Sequence, residues 1–158
     1  VDAVAKQIKT NCLRLLARRE HSREELVDKL RLKGFNRDNI LPVLNELAEQ
    51  GWQSDSRYAE SYIREQIRKG YGPLVIAFEL NRNAITEVNL DDILLSVADS
   101  WQAHLTQVYA KKYQDNHPKS VIELAKRNRF LLQRGFSTAM INNLFTELYG
   151  RNLWRSGF

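Results

Sequence analysis

The chain has 158 residues, 24 Lys and Arg against 19 Asp and Glu, a net charge of +5 and a pI near 9.4. A hydrophobic share of 43% with 27% charged residues belongs to a chain that folds around a core and excludes a disordered or collagen-like polymer. No apolar run approaches the ~20 residues needed to cross a bilayer, no signal peptide opens the sequence, and a single cysteine excludes disulfides within the chain. A soluble, cytoplasmic protein in a reducing compartment is expected, without membrane association; Val1, not being a methionine, leaves the natural start open.

Only three prolines and seven glycines interrupt apolar residues that recur every three or four positions, so helix dominates and no sheet is expected. Asp2 caps a first helix with Val4, Ile8, Cys12, Leu15 and Leu16 on one stripe, where Cys12 acts as a small buried hydrophobe. Ser22 and Glu25 form a capping box, each side chain accepting from the other residue's free amide, and open a second helix that carries Leu26, Val27 and Leu30 inward and stops at Gly34. Asn36 caps a third, bearing Ile40, Leu41, Leu44 and Leu47 and ended by Gly51. Asp55 or Ser54 caps a fourth, whose Tyr58, Ala59, Tyr62, Ile63 and Ile67 face a core before Gly70. Pro73, in a first turn where no amide hydrogen is required, opens a fifth with Leu74, Ile76, Ala77, Phe78 and Leu80, closed by Asn83. Thr86 caps a sixth presenting Val88, Leu90, Ile93, Leu94 and Val97. A seventh runs from Trp101 through Leu105, Val108, Tyr109 and Tyr113 until His117 and Pro118 break the chain. An eighth starts at Pro118, carries Val121, Ile122, Leu124, Phe130, Leu131 and Leu132, and ends at Gly135; Ser137 caps a ninth with Ile141, Leu144, Phe145 and Leu148.

These helices overlay in threes. Leu30, Gly34 and Phe35 correspond to Leu80, Ala84 and Ile85 and to Leu131, Gly135 and Phe136, while Leu44 and Leu47 map onto Leu94 and Val97. The repeat is about 50 residues long. The expected fold is all-α: one domain over 1–158, made of three tandem three-helix repeats at about 3–51, 54–99 and 100–149. Three short helices bury too little apolar surface to offset their chain entropy alone, so the repeats are expected to stack into an elongated, curved monomer.

Catalytic spacing is missing. His21, His104 and His117 lie far apart near expected helix ends or the surface, which suits structural or capping roles, and Gly70-Tyr71-Gly72-Pro73 lacks the Lys-Ser/Thr of a phosphate-binding loop. Glu24 and Glu25 are accounted for by capping and the helix dipole, and Asp91 and Asp92 by an exposed turn. The expectation is no enzyme, no metal and no cofactor. Cations are more suggestive: Lys126, Arg127, Arg129 and Arg134 share a helix with one acid, Glu123; Arg64, Arg68 and Lys69 close another; Lys6, Lys9, Arg14, Arg18 and Arg19 run along the first. Cations near a helix C-terminus favour its dipole and charged faces are commonly only solvated, but three clusters on a positive chain point to an anionic partner. The four-residue spacing of Tyr58 and Tyr62 matches the core stripe, whereas Tyr71, between two glycines, is the aromatic expected to be exposed and able to stack on unpaired bases.

Asp55-Ser56-Arg57-Tyr58-Ala59, then Arg68-Lys69-Gly70-Tyr71-Gly72-Pro73 and Ile76 with Glu79-Leu80, resemble the central signature of the RecX family of bacterial recombination regulators. Ser22-Arg23-Glu24-Glu25-Leu26 with Lys29-Leu30 and Lys33-Gly34-Phe35 resemble its first unit, and Arg129-Phe130-Leu131 with Arg134-Gly135-Phe136 its third. The resemblance implies a noncatalytic modulator that lodges in the groove of the RecA recombinase filament and restrains ATP hydrolysis, extension and strand exchange. Ser54, Val75 and Asn83-Ala84 depart from the usual acidic or basic residues at those places and remove charge from the second unit. Arg57, Arg64, Arg68, Lys69, Tyr71, Lys126, Arg127, Arg129 and Arg134 are the candidate contacts with the filament or with DNA, single-stranded and also duplex, with little sequence preference. The competing readings are a helix-turn-helix DNA-binding regulator, disfavoured by apolar or acidic third helices with Glu46, Glu49, Asp91, Asp92 and Glu147, and an adaptor that binds protein alone.

Overall fold

The structure is a computed structural model and describes residues 2–151. Among the described residues the secondary structure is helical throughout, in the order α1 (Ala3–Arg18), α2 (Arg23–Leu32), α3 (Arg37–Glu49), α4 (Asp55–Arg68), α5 (Pro73–Arg82), α6 (Leu90–Leu94), α7 (Trp101–Tyr113), α8 (Val121–Gln133) and α9 (Thr138–Tyr149). Residues 152–158 lie outside the described residues.

Local chemistry explains most helix starts. Asp2 accepts from the Val4 amide, the Ser22–Glu25 capping box closes on both sides, and Asn36, Ser100 and Ser137 accept from the amides of Asn39, Ala103 and Met140. At α4 the hydroxyl and carbonyl of Ser54 accept from Arg57 and Tyr58. Ser54 is therefore the cap, which leaves the Asp55 carboxylate to bond elsewhere. Its Oδ1 accepts the Arg23 amide at 2.8 Å and Gln53 Nε2 at 3.0 Å. A carboxylate from α4 thus satisfies an amide in the first turn of α2, where the helix dipole favours negative charge.

Two starts differ from the sequence expectation. The sixth helix is capped by Asn89, whose Oδ1 accepts from Asp91 and Asp92, and not by Thr86; it spans five residues, and Val97, expected inside, is 51% exposed. The eighth begins at Val121, after the cap Ser120, not at Pro118, and leaves Ile122 72% exposed. In both cases a side chain able to bond free amides outcompetes an upstream candidate. Pro42 sits inside α3, exposed, where it removes one helix hydrogen bond.

The residues group into two compact units, Val1–Tyr62 with Leu80–Val88, and Ile63–Glu79 with Asn89–Phe158. α4 and α5 contribute residues to both. In the first unit Ile8, Cys12, Leu26, Val27, Leu30, Ile40, Val43, Leu44 and Leu47 form the core, and burial pushes the Cys12 thiol up to about 11. In the second, Leu105, Tyr109, Leu124, Leu131, Phe136, Ile141, Leu144 and Phe145 form it.

A backbone crossing organises the second unit. The Gly72 amide donates to the Arg134 carbonyl at 2.7 Å, and the Leu74 amide, in the first turn of α5, donates to the Gly135 carbonyl at 3.0 Å. A Cβ on Gly72 would stand 2.6 Å from the Gly135 oxygen, and one on Gly135 would stand 2.7 Å from the Val75 nitrogen. Gly135 also has φ +99°, in the left-handed region that closes α8. Gly34 closes α2 at φ +97° with nothing near its missing Cβ, which makes it a control for conformation without crowding. Gly34→Ala is expected to cost about 1–2 kcal/mol in urea unfolding, the left-handed penalty. Gly135→Ala adds overpacking and should cost about 3–5 kcal/mol; equal losses would show that the crossing carries no steric constraint.

Candidate partner-binding surface

The Gly70–Pro73 turn follows α4 because Gly70 adopts φ +92°, its amide donating to the Ile67 carbonyl while the Tyr71 amide reaches back to Gln66. Tyr71 emerges half-buried, not as the open aromatic expected from its flanking glycines. Arg134 covers it, with the guanidinium 4.7 Å from the ring centroid. The same guanidinium lies 5.1 Å from the Phe130 ring and donates from Nη1 to the Lys69 carbonyl at 3.0 Å. Lys112 of α7 stands 4.4 Å over Phe130. Cations and rings thus alternate from Lys112 through Phe130 and Arg134 to Tyr71. Arg134 positions Tyr71 and Lys69, and its donors are partly committed within the protein.

His104 holds the turn from beneath. It is buried, lies against the Phe136 ring, and donates from Nε2 to the Tyr71 carbonyl at 2.9 Å. Burial pushes its pKa below 6.5, opposed by that bond to the carbonyl. In the first unit His21 is likewise buried, donating from Nδ1 to the Arg19 carbonyl and accepting at Nε2 from Lys29 at 3.0 Å, and burial again lowers its pKa. Both are structural histidines, but neither lies at the surface.

The remaining cations separate by environment. Arg68, exposed, pairs with Glu65 at 2.6 Å, and its hydrogen bond holds the Glu65 carboxyl below the usual carboxylate range; Lys69 Nζ is 3.8 Å from the same carboxylate. Arg64 is exposed on α4, and Lys126 and Arg129 are exposed on α8, on the helical stripe that starts at Ile122. Arg57 belongs to the first unit, where Nε pairs with Glu20 at 3.0 Å and Nη2 donates to the Gly51 carbonyl. The turn after α3 is what it secures.

Arg127 is the correction among the candidates: it is 3% exposed and belongs to the core. Nη1 donates to the Tyr109 hydroxyl at 2.8 Å and the Asn116 carbonyl at 2.7 Å, Nη2 pairs with Glu123 at 2.7 Å, and the guanidinium lies 4.3 Å from the Tyr113 ring. Burial disfavours its charge, but the hydrogen bonds to Tyr109 and Glu123 prevail and its pKa is raised. Position on a basic helix cannot distinguish this residue from its neighbours, because residues one and two apart point to different sides.

The sequence did not single out Lys112, and it named Phe130 as an apolar helix residue and part of the third-unit signature but not as a candidate contact. Phe130 and Arg134 are four apart on the end of α8, a spacing that signals contact, whereas Lys112 arrives from another helix and has no such signal. Net charge is also unevenly placed: the first unit has 12 basic and 11 acidic residues, the second 12 and 8. The sequence descriptions of the RecX first, second and third three-helix domains match residues 9–47, 54–93 and 99–145 in turn. The chain belongs to the RecX family. Its relatives named regulatory protein RecX include one from Legionella pneumophila strain Corby, 40% identical over 87% of this chain and 92% of its own, and one from Pseudomonas fluorescens strain SBW25, 40% identical over 92% of each. Among solved structures, a crystal structure of RecX from Lactobacillus salivarius superposes with a TM-score of 0.67 at 25% identity, covering 92% of this chain and 96% of that one. Another, titled regulatory protein RecX, has a TM-score of 0.71 at 22% identity over 91% of this chain and 73% of its own, a likeness of fold. This RecX chain is thus a regulatory-family protein with all-helical, three-helix-repeat architecture.

Two outcomes test this sorting. Arg127→Ala is expected to cost about 2–4 kcal/mol in chemical unfolding, because it empties a buried site and removes the donor to the Tyr109 hydroxyl and the Asn116 carbonyl, while Arg129→Ala stays within about 0.5 kcal/mol; similar small effects would return Arg127 to the surface. For the histidines, the unfolded chain binds protons near pH 6.5 that the folded chain, with lowered values, refuses. Stability is therefore fully present above about pH 7 and falls as pH drops through 6.5, so Tm should be lower at about pH 5.5 than at 7.5. His104→Gln should shrink that difference, and an unchanged difference would remove His104 from it.

Proposed function

We propose that this RecX protein is a noncatalytic regulator of homologous recombination and DNA repair that binds the RecA filament and inhibits its ATPase, extension and strand exchange. The observation that carries the reading is the exposed cations of the second unit, Arg64, Arg68 and Lys69 on the end of α4 and Lys126 and Arg129 on α8, in a chain of the RecX family. A nucleoprotein filament offers phosphate to such groups and protein to their apolar neighbours. The Glu65 pairs do not prevent this, since exposed ion pairs are worth little and exchange readily for phosphate. DNA, single-stranded and also duplex, is contacted through the backbone with little base preference. The protein acts as a monomer in the cytoplasm without a cofactor; no described helix is long and apolar enough to cross a membrane.

The helix-turn-helix alternative fares worse. α6 has only five residues to offer a groove, and α3 exposes Asp38, Glu46 and Glu49, which phosphate repels.

The test is RecA ATP hydrolysis on single-stranded DNA with this protein titrated in. A saturable fall is expected, and no fall at stoichiometric excess would overturn the proposal. Lys126→Glu with Arg129→Glu should leave Tm unchanged, weaken inhibition, and flatten the salt dependence of DNA binding by about 0.7 in log–log slope for each phosphate no longer neutralised. Unchanged inhibition would show these two positions to be bystanders and favour an interaction made by protein alone.

A further inference from the structure

Among the described lysines, Lys29 has a nitrogen base for its polar partner. Its Nζ lies 3.0 Å from Nε2 of His21, whereas Lys9 and Lys69 meet the carboxylates of Glu46 and Glu65, and Lys33 meets the amide oxygen of Asn11. The far side of the ring fixes the direction of the bond. Nδ1 lies 3.1 Å from the Arg19 carbonyl, which can only accept, so Nδ1 carries the proton and Nε2 presents a lone pair to the amine. The ring is 2% exposed, while Lys29 is half-buried. The charged groups that face His21 are Arg19 at the end of α1 and Glu25 and Lys29 of α2. Asp55 of α4 reaches it through Gln53, whose Nε2 donates both to the His21 carbonyl and to the Asp55 carboxylate. Burial, with Arg19 and Lys29 behind it, keeps the ring neutral near pH 7.

We propose that Lys29 is an acylation site, at which His21 is the proton acceptor and a small acyl phosphate the reagent. An amine that attacks an acyl group sheds a proton as the new bond forms, and a base within hydrogen-bond reach takes it. A carboxylate, with an ordinary pKa of about 4, is too weak a base for this near neutral pH, whereas an imidazole at about 6.5 is suited to it. In the step, the lone pair of the neutral Lys29 amine forms the N–C bond to the carbonyl carbon, the bond from that carbon to the phosphate oxygen breaks, and its electron pair leaves on phosphate. One proton on Nζ passes to Nε2 of His21 and from there to water. The products are an uncharged amide and inorganic phosphate.

Local charge selects the reagent class. Lys33, four residues on from Lys29 and exposed, offers a cation to the phosphate on the same stripe of α2. Partial burial of Lys29 favours a small reagent over an acyl group on a bulky carrier. The site also sits on a joint of the first unit: the His21 carbonyl accepts from Gln53, the Ser22 hydroxyl donates to Asn83, and the Arg23 amide donates to Asp55. Acylation removes the cation that opposes a proton on His21, so it raises the pH at which this joint titrates. None of this depends on the partner proposed above.

The full chain, incubated with acetyl phosphate and read by peptide mass spectrometry at early times, tests the site. Lys29 should acetylate at least about ten-fold faster than the exposed Lys126. His21→Gln, which can hold the Lys29 hydrogen bond but cannot take its proton, should bring Lys29 down to the rate of Lys126 and leave Lys126 unchanged. Equal rates at the two lysines in the wild type, or an undiminished Lys29 rate in a folded His21→Gln chain, overturn the proposal. Where His21→Gln does not fold, a pH series on the wild type decides. The ratio of the Lys29 rate to the Lys126 rate should hold steady between about pH 7 and 8.5 and fall as pH drops below 6.5, where His21 takes its proton from solvent instead; a ratio flat throughout removes His21 from the step and overturns the proposal. An acetyl thioester at the same concentration should label Lys29 more slowly, and faster labelling would overturn the assignment to an acyl phosphate.

Discussion

Gly72 and Gly135 bring the start of one helix and the end of another so close that neither position has room for a single carbon atom beyond the backbone. Two hydrogen bonds cross there, and the amide of Leu74, free because it belongs to a first helical turn, finds its acceptor on the carbonyl of a helix-closing glycine. Burying backbone against backbone is tolerated because both partners leave polar groups that need each other. Three features depend on that contact: where α5 points, how the Tyr71 turn is presented, and why Arg134, the residue before Gly135, lies over Tyr71 and reaches Lys69.

The cations of this chain serve opposite purposes that formal charge cannot separate. Arg127 is surrounded by Tyr109, Tyr113, Glu123 and the Asn116 carbonyl and anchors the segment after α7 to α8. Arg57 pins the turn after α3, and Arg134 sits between two aromatic rings. Lys126 and Arg129, one before and two after Arg127, face water. A guanidinium is suited to the first kind of role because its planar, weakly hydrated fork can meet several acceptors and a ring face together. An arginine-rich helix is consequently a poor guide to an anion-binding face until its sides are known.

Acidic residues show the same division. Asp55, in the segment that carries the family resemblance, accepts the Arg23 amide and Gln53 and so joins α4 to the first turn of α2. In this chain it holds helices together, with Ser54 taking the capping role beside it. A signature that covers both the Asp55 joint and the Gly70–Pro73 turn reports on the architecture before it reports on any partner.

Read alone, the sequence determined the helical class, the order of the helices and most of their caps, because each depends on residues within four positions of one another. It also carried the repeat and the family resemblance, which are properties of order along the chain. It misplaced the starts of the sixth and eighth helices, which begin after Asn89 and Ser120, whose side chains accept from free first-turn amides, and not at Thr86 or Pro118. Tertiary structure alone decided that Arg127 is interior, that Tyr71 lies beneath Arg134, that Lys112 meets Phe130 and that α5 turns Leu74 and Phe78 outward. Each of these depends on which helix is set against which, and burial of a charge or exposure of a hydrophobe is settled by neighbours distant in sequence, so a local pattern does not encode it.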